Sequence, residues 1–78
     1  MPEPQNVKSP ISDLEYNWLT VMHNKAEALK AYETYIQDAQ AAGSQPCVEM
    51  FQKLQQAEMQ QLQEVRQHLM EVMQHGKM

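Results

Sequence analysis

Two long stretches of this sequence contain neither proline nor glycine, and that distribution limits the fold more than any other feature. No Pro or Gly occurs between Pro10 and Gly43, and none occurs between Pro46 and Gly76. These residue types interrupt helices most strongly, and the intervening stretches are rich in Gln, Ala, Met and Leu, which favour helix over strand. The pattern predicts two long helices joined by one short connection.

A capping box marks the start of the first helix. Ser12 and Glu15 stand three residues apart, so that each side chain can bond to the backbone N–H of the other. We therefore expect a first helix over about 12–42, preceded by a flexible, proline-containing tail at 1–11.

The connection combines a helix stop with a helix start. Gly43 suits the position just after a helix end, and Ser44 or Gln45 can cap the helix that follows. We expect a turn at 43–46 and a second helix over about 46–75. Because so short a connection forces neighbouring helices to be antiparallel, the predicted fold is an all-α, two-helix hairpin.

Apolar side chains recur every three or four residues in both stretches, which is the period of an amphipathic helix. The first stripe consists of Ile11, Leu14, Trp18, Val21, Met22, Leu29, Tyr32, Ile36 and Ala39. The second consists of Cys47, Val48, Phe51, Leu54, Leu62, Val65, Leu69, Val72 and Met73. The opposite faces are polar, and the glutamines of the second helix are typical of a solvated surface.

A hairpin of two helices has little interior, and it leaves part of each apolar stripe in contact with water. Two hairpins that pair through a two-fold axis would cover the stripes as a four-helix bundle, so we expect a homodimer. The residues expected to form the dimer interface or set its register are Lys25, Glu58, Trp18, Leu29, Tyr32, Leu62 and Val65.

Each stripe carries one charge at its centre, Lys25 on the first helix and Glu58 on the second. Counted from a turn centred near position 44.5, their axial positions differ by about 9 Å, so we expect them to miss each other within one hairpin. In an antiparallel dimer, Lys25 of one subunit would instead lie close to Glu58 of the other. The alternative is that Lys25 lies near a bundle end or edge and extends its ammonium group into solvent.

Inward carboxylates on helices also form di-iron sites, in which Glu-x-x-His motifs contribute ligands. Glu58 has the inward direction, but Gln61 stands where the motif requires histidine. We therefore predict no metal and no cofactor. Glu58 is kept as a candidate ligand only in an alternative function, a carboxylate-metal protein whose site forms between subunits. The three histidines, His23, His68 and His75, are interpreted as surface residues.

No other pattern indicates catalysis. Cys47 lies in the first turn of the second helix, where it could be reactive, but it also belongs to the apolar stripe, which favours a buried thiol. There is no glycine-rich phosphate loop and no strand-to-helix elbow for a nucleophile. The sequence predicts a protein that is not an enzyme.

The charge balance limits the partners. Six basic and ten acidic residues give a net charge of −4, which argues against nucleic acid and against an anionic membrane surface. The first residues contain no apolar run of the kind found in signal peptides, so we expect a cytoplasmic location. A larger protein that binds the methionine-bearing faces is a further alternative partner.

The segment from Ala31 to Ala39, with Tyr32, Tyr35, Ile36 and Asp38, is followed by Ala42-Gly43, Phe51 and Glu58. This pattern resembles short bacterial helical-hairpin proteins of ferritin-like or rubrerythrin-like type, over about 57 of the 78 residues. The resemblance implies a half-bundle that dimerises, with Glu58 as an inward ferritin-type carboxylate. Gln61 and Lys25 depart from the family pattern, and these departures argue against oxidase or iron-storage activity.

Overall fold

The computed structural model describes residues 10–76, which form two helices packed against each other. Helix α1 spans Asp13–Ala41 and helix α2 spans Gln45–His75, with no strand in the described part of the chain. The expectation of an all-α hairpin is confirmed. The predicted tail lies, apart from its last two residues, outside the described residues.

Helix α1 begins at the predicted capping box. The backbone N–H of Glu15 donates to Ser12 Oγ at 3.1 Å, and the backbone N–H of Ser12 donates to Glu15 Oε1 at 3.1 Å. Two N–H groups that the helix cannot satisfy internally are thereby bonded by side chains.

Backbone hydrogen bonds close the turn between the helices. The N–H of Gly43 donates to the carbonyl of Gln40, and the N–H of Ser44 donates to the carbonyl of Ala39, each at 3.0 Å. This pair of bonds is the Schellman motif, which needs a left-handed residue, and Gly43 supplies it with φ 70°. Ser44 then caps α2 by accepting a hydrogen bond from the Cys47 N–H, so α2 begins at Gln45.

Three side-chain contacts define how the helices are aligned, and each joins residues equally distant from Gly43. Tyr35 and Phe51 lie eight residues on either side of the glycine, and their rings are 5.6 Å apart. Lys25 and Gln61 lie 18 residues on either side, and Trp18 and His68 lie 25 on either side. The alignment of the hairpin is therefore centred on Gly43.

Full burial is confined to the two ends of the hairpin. Ala39 and Val48 are buried beside the turn, and Leu69 and Val72 are buried near the open end. The other residues of the two stripes are half-buried or exposed. The prediction of a buried Cys47 is wrong because Val48 takes the inward position, and a residue one step earlier is rotated by about 100° into solvent.

Neither α1 nor α2 contains an apolar stretch long enough to cross a bilayer.

Candidate functional site

A polar cluster occupies the middle of the hairpin. Lys25 Nζ donates to Glu58 Oε2 at 3.2 Å and to Gln61 Oε1 at 2.8 Å. The Lys25 and Glu58 side chains are 24% and 17% exposed, so the ion pair is shielded from most of the solvent. Helix α1 supplies the cation, and one turn of α2 supplies both acceptors.

The expectation that Lys25 and Glu58 miss each other within one hairpin is wrong. It assumed a turn centred near position 44.5, whereas the observed alignment is centred on Gly43. Lys25 is therefore level with Gln61, and Glu58 lies three residues, or about 4.5 Å, closer to the connection. The flexible lysine side chain spans that offset, and the two charges pair within one hairpin. The geometric argument for a Lys25–Glu58 pair between subunits therefore no longer applies.

The cluster orders the two helices rather than presenting a reactive group. Its carboxylate is occupied by an ammonium partner, and such charged contacts are directional and depend on helix alignment. Within residues 10–76, no group of three or more His, Cys, Asp or Glu side chains is placed to hold a metal ion. The cluster therefore favours one position of α1 along α2.

A second contact that the sequence analysis missed joins the helices near their open end. The rings of Trp18 and His68 have centroids 4.9 Å apart with planes at 60°. The surface interpretation holds for His23 and His75, which are exposed, but it is wrong for His68, which is half-buried. Given the Lys25–Gln61 contact, the seven-residue spacings from Lys25 to Trp18 and from Gln61 to His68 place Trp18 level with His68. The alignment assumed from the sequence, centred near position 44.5, does not predict this contact.

Aromatic rings fill the part of the hairpin between the polar cluster and the turn. Tyr32 and Tyr35 meet edge to face at 5.8 Å, and Tyr35 also contacts Phe51. Contacts of this kind add about 0.5–1.5 kcal/mol beyond the area they bury. This group of rings and the polar cluster are consecutive contact layers along one helix pair.

The predicted interface residues all lie on the inward stripes of this hairpin. Lys25 and Glu58 form the ion pair, and the others are half-buried: Trp18, Leu29, Tyr32, Leu62 and Val65. Their contribution to an interface between subunits stays a prediction.

Large apolar side chains remain exposed along the whole hairpin. Those exposed by 39–64% are Ile11, Leu14, Tyr16, Leu19, Tyr35, Met50, Leu54, Met59, Met70 and Met73. Single exposed apolar residues are ordinary on protein surfaces, whereas here ten large apolar side chains are exposed within residues 10–76.

No protein-family model matches the chain, and neither a curated protein nor a solved structure shows significant similarity to it. The ferritin-like resemblance therefore stays a prediction based on the quoted residues.

Proposed function

We propose that this chain is a small, non-enzymatic helical-bundle protein that works through protein–protein association, and that its first partner is a second copy of itself. In the proposed assembly, two hairpins related by a two-fold axis form a four-helix bundle. The ferritin-like resemblance implies the same arrangement. The proposed role is that of an adaptor or accessory factor in the cytoplasm.

The observation that carries this proposal is the imbalance between buried and exposed apolar side chains. Only four described residues are buried, whereas ten large hydrophobic residues are exposed. Two helices make a single layer, and stable domains enclose their core between at least two layers. A second hairpin would supply the missing layer and would cover side chains that one hairpin leaves in water.

No observation favours the alternative function as a carboxylate-metal protein. Glu58, its candidate ligand, contacts the Lys25 ammonium group, and no set of metal ligands is assembled within residues 10–76. A cation at Glu58 would first have to displace the lysine, at the cost of the ion pair and its hydrogen bonds.

Sedimentation equilibrium on the full chain across the micromolar range tests the proposal. We expect a species with twice the mass of one chain, and an unfolding temperature that rises with protein concentration because association stabilises the folded state. A monomer at the highest concentration, with an unfolding temperature independent of concentration, would overturn self-association. A partly unfolded monomer would also count against it and would favour a larger protein partner.

A further inference from the structure

We infer that the contact between Trp18 and His68 makes the open end of the hairpin, opposite the turn, sensitive to pH. When His68 is protonated, this contact stabilises the packing of α1 on α2 more strongly than when the imidazole is neutral. The inference is independent of the proposed self-association, because both rings belong to the same chain. It adds a means of regulation that exposed apolar residues by themselves do not supply.

The two rings join the helices directly. Trp18 belongs to α1 and His68 to α2, and their ring centroids are 4.9 Å apart with the planes inclined at 60°. Both side chains are half-buried. The buried Leu69 and Val72 belong to the same end of the hairpin. A change in the strength of the ring contact therefore acts on the packing between the helices rather than on one helix alone.

Protonation changes the kind of contact that the two rings make. A neutral imidazole meets the indole as a second aromatic ring, whereas an imidazolium meets it as a cation. The separation of 4.9 Å lies within the range of about 6 Å over which a cation is attracted to an aromatic ring, and indole attracts cations most strongly. Imidazole gains and loses its proton between about pH 5 and pH 8, so this attraction is added as the pH falls through that range.

Two carboxylates lie beside His68 on its own helix. Glu64 precedes the histidine by four residues and Glu71 follows it by three, and these spacings place side chains on the same face of a helix. All three side chains line one shallow groove along α2. Each carboxylate attracts an imidazolium more strongly than a neutral imidazole, so both add to the effect of the indole ring.

The other charged groups of α2 near the contact are further away or point elsewhere. Arg66 precedes His68 by two residues, which places it about 200° around the helix axis. His75 follows by seven residues, or about 10 Å along the axis. That distance exceeds the Debye length of about 8 Å at physiological ionic strength, so an exposed charge on His75 is largely screened from His68.

The charged groups of α1 have the same balance. Glu15 adds a third carboxylate at this end, three residues before Trp18, and its Oε1 atom accepts from the Ser12 N–H. Lys25 lies seven residues from Trp18, and its ammonium group is paired with a carboxylate of α2. His23 is exposed and lies 4.0 Å from its own carboxylate neighbour on α1.

The sign of the pH dependence follows from this arrangement. The indole and the nearby carboxylates are held beside His68 in the folded chain and are dispersed in the unfolded chain. The folded chain therefore binds the proton more tightly, and the added stability is present at low pH and is lost as the pH rises. Measurements between pH 8 and pH 6 isolate the effect, because carboxylates ordinarily gain protons only below about pH 5.

Urea denaturation of the full chain at pH 8 and pH 6, at one fixed protein concentration, tests the inference. Trp18 is the single tryptophan, so its fluorescence follows unfolding at the contact itself. His68→Gln keeps a polar side chain that cannot be protonated. We expect the unfolding equilibrium constant of the wild type to fall about threefold more than that of His68→Gln on going from pH 8 to pH 6, the size of a partly exposed cation–π contact. An equal fall in both proteins, or a smaller fall in the wild type, would overturn the inference.

A second variant covers the case in which His68→Gln fails to fold. The double variant His23→Gln/His75→Gln replaces two exposed side chains and leaves His68 as the single histidine. We expect it to keep the pH dependence of the wild type. Its folded form should also emit less Trp18 fluorescence at pH 6 than at pH 8, because a contacting imidazolium quenches indole emission. Loss of the pH dependence, or emission that does not change with pH, would refute the role of His68.

Discussion

The two ends of the hairpin and its centre hold the helices together by different means. Ala39 and Val48 are buried at the turn, Leu69 and Val72 are buried towards the open end, and the Lys25–Glu58 pair lies between them. Apolar contacts give most of the free energy of association between helices but tolerate small displacements along the axis. An ion pair with a defined geometry gives less free energy and discriminates more strongly between alignments.

Four apolar residues at the ends are buried within one chain, whereas ten large apolar residues along the whole hairpin, its ends included, are exposed. Apart from Tyr35, which contacts Phe51 and is also 44% exposed, the side chains that align the helices and the exposed large apolar side chains are different residues. They can be altered separately by mutation.

The largest effect is expected at the buried end. Leu69 is 4% exposed, and Leu69→Ala should lower the free energy of unfolding by about 2–4 kcal/mol because it removes buried methyl groups and leaves a cavity. Urea denaturation followed by circular dichroism at a fixed protein concentration measures the loss. Leu54→Ala, at a residue 42% exposed, is the matched control, with an expected loss of less than about 1 kcal/mol. Equal losses would show that the ends are not the stabilising regions.

An intermediate effect is expected at the centre. Lys25→Met leaves the Glu58 carboxylate, 17% exposed, without its cation and should cost about 1–2 kcal/mol. The double variant Lys25→Met/Glu58→Met should recover most of that loss, because no unpaired charge remains. Urea denaturation of the wild type, both single variants and the double variant gives the coupling free energy. Strict additivity would contradict an ion pair within the hairpin.

The smallest effect is expected from the two glycines, which compare the turn with the open end. Gly43 and Gly76 have φ 70° and 78°, and a Cβ at either position meets no atom within 4 Å, so only the backbone conformation opposes alanine. Gly43→Ala should lower the unfolding free energy by about 1 kcal/mol. Gly76→Ala should cost less, because the last turn of α2 can fray without separating the helices. Thermal denaturation of both variants measures the difference, and a larger loss for Gly76→Ala would contradict it.

Several features of the structure could be predicted from local sequence. The capping box at Ser12 and the left-handed Gly43 each depend on residues within one helical turn. The spacing of Ser12 and Glu15 predicts the first, and the residue type of Gly43 predicts the second. Gly76 likewise ends α2 close to the predicted position. Local hydrogen bonding and the backbone preferences of glycine determine these features.

Sequence by itself therefore determined that the described chain forms two helices, roughly where each begins and ends, and approximately which side of each faces inward. Several residues of the predicted stripes, among them Cys47, Leu54 and Met73, are exposed. The tertiary structure decided how far one helix is displaced along the other. A shift of three residues, about 4.5 Å, decides whether Lys25 reaches Glu58 or passes it. The Trp18–His68 contact and the exposed Cys47 depend on the same alignment and rotation. Periodicity defines a direction around each helix axis, but only packing between the helices defines a position along it.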